Sequence, residues 1–166
     1  MLAARAWLVS GLPLMHPTFY IRLARVEEAA ALSDLCFRSK AVWGYDPEFM
    51  ALMPAALEVV PEHIGAGDVW IATGVDGGDR RSRRARARRC AGYAELEQAV
   101  RRASPIRSGV GRALLAHAVA EARQRGAERL TIMADPNAAG FYERNGAARI
   151  GEAPSDAVPG RPLPAL

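Results

Sequence analysis

Apolar and polar residues alternate over residues 19–24, the period of a half-buried strand. From Glu27 to about Ser39 the apolar positions shift to Ala30, Ala31, Leu32, Leu35 and Cys36, which is helical spacing. A second helical stretch opens at Pro47, runs through Phe49, Met50, Leu52 and Met53, and is predicted to break at Pro54. Residues 68–73 read as a second strand and 91–96 as a third. Between them, residues 74–89 are rich in Gly and Arg without apolar periodicity, which predicts an irregular segment. A strongly amphipathic helix is predicted over 111–124, with Leu114, Leu115, Ala118, Val119 and Ala122 on one face and Gly126 as its stop. The nearly unbroken apolar run at 129–134 fits a central strand. A short helix from Pro136 and Asn137 to Gly146, a strand over 148–152 and a Pro-rich tail complete the chain. This order predicts an α/β fold with a mixed sheet and helices on both faces.

The chain has 166 residues, half of them hydrophobic, which suits one domain with a real core. Its first 15 residues read as an unstructured extension, or as a start placed one methionine too early, with the domain over 16–166. The net charge of +4 is local, because seven arginines fall within residues 80–89. Such a run can bind phosphate backbones, but no aromatic residues interleave it, so a solvated loop is expected and a nucleic-acid partner is not. Cys36 and Cys90 form no disulfide framework, and His16, His63 and His117 have no metal-site spacing. Cytoplasmic localisation is expected, without metal and without membrane insertion.

Chemistry enters at Arg107-Ser-Gly-Val-Gly-Arg112. A Gly-x-Gly turn opens directly into the amphipathic helix, whose first N–H groups lack intrahelical partners. Gly109 and Gly111 bare the backbone, so the segment reads as a pyrophosphate-binding turn or as an ordinary tight turn. A dinucleotide fingerprint is disfavoured because Leu114 stands where its third glycine would be. A nucleotide-hydrolysing loop is excluded by the absence of Gly-Lys-Ser/Thr.

Three segments in order resemble the Gcn5-related N-acetyltransferase (GNAT) superfamily: Gly109-Val-Gly-Arg-Ala-Leu-Leu115, Leu130-Thr-Ile-Met-Ala-Asp-Pro-Asn137, and Asn137-Ala-Ala-Gly-Phe-Tyr-Glu-Arg-Asn-Gly-Ala147. Arg38-Ser-Lys-Ala-Val-Trp-Gly-Tyr-Asp46 is similar to a stretch in a small-protein branch of that family. The resemblance covers roughly residues 19–152. The family's loop carries Gln or Arg three residues before its first glycine, where this chain has Ile106 and then Arg107.

The resemblance implies acetyl transfer from acetyl-CoA to a primary amine, on a small molecule or a protein; a homodimer is compatible. The cofactor would be held by Arg107, Ser108, Gly109, Val110, Gly111 and Arg112, with Asn137 bonding the pantetheine arm or capping its helix. Tyr142 would be the acid for the departing thiolate, or a core aromatic paired with Phe141. Glu95 or Glu97 would assist amine deprotonation, or lie on a solvated strand face. Trp43, Tyr45 and Asp46 would line the acceptor pocket, or serve as loop packing and a helix cap.

One segment departs from the family. Its fourth strand should precede the glycine turn, reading apolar-Phe-Val-Glu/Asp-Pro, yet this chain has Gln98-Ala-Val-Arg-Arg-Ala-Ser-Pro105. Adjacent buried arginines would be costly to desolvate. Ala-Val-Arg-Arg-Ala can be encoded as GCT GTT CGT CGA GCC; one base later that string reads Leu-Phe-Val-Glu and opens a Pro codon. A compensated frameshift would therefore account for a defective segment within 74–106 and for impaired activity.

Overall fold

The computed structural model describes residues 19–74 and 109–166 and the backbone of two strands at 83–90 and 93–100. The chain order is β1 (Phe19–Leu23), a 3-10 turn (Val26–Glu28), α1 (Ala29–Ala41), α2 (Pro47–Ala51), α3 (Met53–Ala56), α4 (Pro61–Gly65) and β2 (Val69–Gly74). Then come β3 (Arg83–Cys90), β4 (Tyr93–Val100), α5 (Val110–Gln124), β5 (Arg129–Thr131), α6 (Pro136–Glu143), β6 (Gly151–Pro154) and β7 (Pro162–Ala165).

Strands β1 to β5 form one sheet in sequence order, antiparallel except for the parallel β4–β5 pair. Strand β2 is buried along its whole length because both faces are covered. Val69 and Ile71 pack with Leu32, Leu35 and Cys36 of α1 and Ile64 of α4. On the other face Ala72 joins Leu114, Leu115 and Ala118 of α5, and Trp70 meets His117 edge-on at 5.4 Å. Two cores therefore sandwich one strand, which explains its unbroken apolar run.

The sheet opens between β4 and β5. They pair only where Tyr93, Ala94 and Glu95 face Arg129, Leu130 and Thr131. Beyond Thr131 the chain bonds to its other side: Ile132 and Leu166 exchange two backbone hydrogen bonds, and Ala134 N donates to the Pro164 carbonyl at 2.9 Å. Strand β4 meanwhile runs on to Val100 against Arg84 of β3. The two strands thus part, and the chain resumes at the starts of α5 and α6.

Several expectations change. The stretch 74–89 is not wholly irregular, because Arg83–Cys90 is the third strand, bonded to β2 and β4. What the sequence offered as a third strand begins the fourth, Tyr93–Val100, so the fourth strand is present at an earlier position than residues 98–105. Its backbone hydrogen bonds compensate for poor side-chain pattern. The tail holds strand β7, paired with β6, despite Pro162 and Pro164. The Pro164 carbonyl faces β5, so its missing N–H faces there too, where the pairing has narrowed to an isolated bridge at Met133. The expected extension at 1–15 lies outside the described residues.

Candidate active site

Helix α5 starts on Gly109, which adopts φ +70°. An L side chain is strained in that region, whereas glycine enters it freely. Among the described residues nothing lies within 4 Å of where a Cβ would stand at Gly109. Gly111 is close-packed instead: its Cβ would meet Phe141 Cζ at 3.3 Å. The glycine turn therefore lies directly against α6. Val110 is buried in the core and Arg112 is exposed. Arg107 and Ser108 lie outside the described residues.

Helix α6 begins at Asp135-Pro136, a cap followed by proline at the first helical position. The Asp135 carboxylate accepts from Asn137 N at 2.8 Å. The cap is thus Asp135 and not Asn137, whose exposed side chain donates to Tyr45 Oη at 2.9 Å. One turn on, Phe141 and Tyr142 sit edge-to-face at 5.1 Å. Phe141 touches the glycine turn, while Tyr142, 5% exposed, packs in the core and reaches a cavity on the other side. Tyr142 is thus a core aromatic paired with Phe141 that also lines the cavity.

That cavity has a volume of about 240 Å³ and lies between α1 to α3, the end of β5, α6 and the β6–β7 loop. Apolar walls come from Trp43, Phe49, Met53, Leu57, Met133, Val158 and Leu163. Its charged groups are Lys40, Asp135 and Arg161. Lys40 Nζ donates to Asp135 Oδ2, and the Tyr45 hydroxyl donates to the same carboxylate at 2.9 Å. Arg161 Nη2 donates to Tyr45 Oη at 2.9 Å and stacks its guanidinium over Tyr45 and Phe49, 4.9 and 4.4 Å from the ring centroids. The Tyr45 oxygen thus gives its one proton and accepts two, which satisfies it fully.

Burial alone would raise the Asp135 carboxyl, but the hydrogen bonds from Lys40 and Asn137 N outweigh it and hold the group below its usual range. Tyr45 is pushed above its ordinary value, first by burial and then by the neighbouring Asp135 carboxylate.

Of the three residues expected in an acceptor pocket, Trp43 lines the cavity. Tyr45 stands behind the wall and ties it together. Asp46 caps α2, accepting from Phe49 N at 2.7 Å, as its alternative role required. Glu95 is a backbone partner of Thr131 and Arg88. Lys40, Asp135 and Arg161 went unmarked; only Asp135 had a local signal, its place before Pro136.

Residues 85–147 match the acetyltransferase (GNAT) family model. Over those residues, fewer than half of the 166, the chain is similar to that family. A GCN5-related N-acetyltransferase from Rhodopseudomonas palustris has the GNAT fold seen here, with TM-score 0.68 over 93% of this chain and 96% of its own at 20% identity. One from Ralstonia eutropha JMP134 gives 0.67 over 82% and 97% at 15% identity. The PaiA N-acetyltransferase of Thermoplasma acidophilum, in complex with coenzyme A, gives 0.64 over 89% and 96% at 17% identity. No curated protein matches the sequence. No helix among the described residues is long and apolar enough to cross a membrane.

Proposed function

We propose that the chain transfers an acetyl group from acetyl-CoA to a primary amine. The observation that carries this reading is the joining of two features by α6: Phe141 against the glycine turn, and Tyr142 at the cavity. The backbone at Gly109 fits a diphosphate, since no described residue stands where a side chain would. The parting of β4 and β5 supports it further.

When bound, acetyl-CoA supplies the acetyl group as a thioester, and the amine–acetyl bond forms as the carbon–sulfur bond breaks. The N–H groups from Arg107 to Arg112, with the positive end of α5, hold the diphosphate. Tyr142 gives a proton to the departing sulfur; a phenol with an ordinary pKa of about 10 keeps that proton at neutral pH. Glu95 accepts the proton that the amine loses. Asn137 fixes Tyr45, and Trp43 covers the acceptor.

Titration calorimetry with acetyl-CoA tests the reading. The wild-type chain binds, and Gly111→Glu does not, because it sets a carboxylate at the phosphate and drives a side chain into Phe141. Equal affinity in the two proteins would overturn the loop assignment.

A further inference from the structure

We propose that Arg161 anchors a carboxylate on the acceptor, so that the amine acetylated belongs to a small molecule bearing a carboxylate and an apolar body, as a hydrophobic amino acid does. This inference rests on the acetyl-transfer reading of the same cavity.

The described lining carries two cations and one carboxylate. Lys40 and Asp135 neutralise each other through their ion pair. Arg161 has no such partner: among the described residues no carboxylate stands within ion-pair distance of it. Its one side-chain hydrogen bond there goes to a neutral phenol, Tyr45. Its guanidinium carbon lies 4.9 and 4.4 Å from the Tyr45 and Phe49 ring centroids, cation–π contacts that engage the charge. A guanidinium has five N–H donors in a fixed fork matched to a carboxylate, so donors remain. The rings and the Tyr45 bond hold that fork in place before any ligand arrives, which lowers the ordering cost of binding.

Size and polarity of the rest complete the specification. A cavity of about 240 Å³ is smaller than the roughly 300–1,000 Å³ of drug-sized sites. It suits one amino-acid-sized molecule. Trp43, Met53, Leu57, Val158 and Leu163 offer its body an apolar wall. A polycationic amine would face the unneutralised Arg161 charge.

Product binding needs no turnover and isolates the anchor. N-acetylphenylalanine and its neutral amide, N-acetylphenylalaninamide, are titrated calorimetrically into the full chain and into Arg161→Gln. Charge-assisted hydrogen bonds give an expected preference for the acid of about 10- to 100-fold. Arg161→Gln removes the preference, and Arg161→Lys keeps part of it. Should Arg161→Gln fail to fold, the wild-type comparison of acid with amide decides alone. Equal affinities for acid and amide, or binding of neither, overturn the inference. Acetyl-CoA is titrated separately. If it binds while acid and amide do not differ, only the anchor falls. If it fails to bind while the acid preference persists, the anchor stands and the acetyl-transfer reading falls.

Discussion

Removing the Asp135 carboxylate tests whether the cavity wall and the Tyr142 helix are held by one group. Asp135 does three things: it caps α6, pairs with Lys40 and accepts from Tyr45. Loss of a cap costs about 1 kcal/mol. Breaking a fully buried ion pair costs about 3–5 kcal/mol, and an exposed pair about 0–1. With side chains 12% exposed for Asp135 and 17% for Lys40, this pair falls between, near 2 kcal/mol. The lost acceptor for Tyr45 adds about 1 kcal/mol. These terms share partners and do not add fully, so Asp135→Ala is expected to cost about 3 kcal/mol.

Asp135→Asn keeps an oxygen for the cap and for Tyr45 and loses only the charge, at about 2 kcal/mol. For a chain of this length each kcal/mol moves the midpoint by about 2–4 °C, so thermal unfolding separates the two variants. Adding Lys40→Met to Asp135→Asn should restore part of the loss, because the stranded cation is gone and an apolar end takes its place near Tyr45 and Phe49. Turnover should fall with stability in Asp135→Ala, since the helix carrying Tyr142 loses its start. If both single variants cost less than about 1 kcal/mol, water already screens the cluster and the reasoning fails.

Tyr142→Phe removes a hydroxyl without changing the core ring; kcat for thiol release should drop about 100-fold with acetyl-CoA affinity unchanged, and unaltered kcat removes the acid role. Glu28 is bonded to Arg22 at 2.6 and 2.8 Å and to Arg25 N, and the Arg22 hydrogen bonds, outweighing burial, lower its carboxyl to about 2. A lowered carboxyl stabilises the fold above its unfolded value of 4.5, and that contribution is lost as pH falls towards about 2. Glu28→Gln should therefore flatten the acid limb of a stability–pH curve over that window, and an unchanged limb refutes the pair. The frameshift proposal is tested by Ala99→Leu, Val100→Phe, Arg101→Val, Arg102→Glu and Ala103→Pro together: the midpoint and turnover should both rise, and no gain in either refutes it.

Periodicity made legible whatever depends on one element's own burial. The predicted face of α5 is the buried one, at Leu114, Leu115, Ala118 and Ala122, and Gly126 ends the helix at φ +80°. The apolar run of β2 reported two covered faces. Strand β3 was hidden because residues 84–88 alternate arginine with alanine, a period of two carrying almost no hydrophobic contrast. Strand β7 was hidden by prolines that argue against a ladder, although the Pro164 carbonyl still accepts from Ala134 N.

The site divides along the same line. The glycine turn and the α6 aromatics are local motifs, and a short window shows them. The cavity is tied together by hydrogen bonds between residues 95, 90 and 116 positions apart: Lys40 to Asp135, Tyr45 to Asp135 and Arg161 to Tyr45. No pattern within a helix or strand encodes such a pairing, because each partner satisfies its own element equally well without the others. Lys40 ends a helix, Asp135 caps one, and Arg161 precedes a strand. Charge is what joins them. Two cations and one carboxylate brought together in a mostly apolar cavity leave one positive charge, and that residual charge exists only after folding has assembled all three segments. The cavity's charge is therefore a property of the tertiary structure, while the glycine turn is written in one continuous segment.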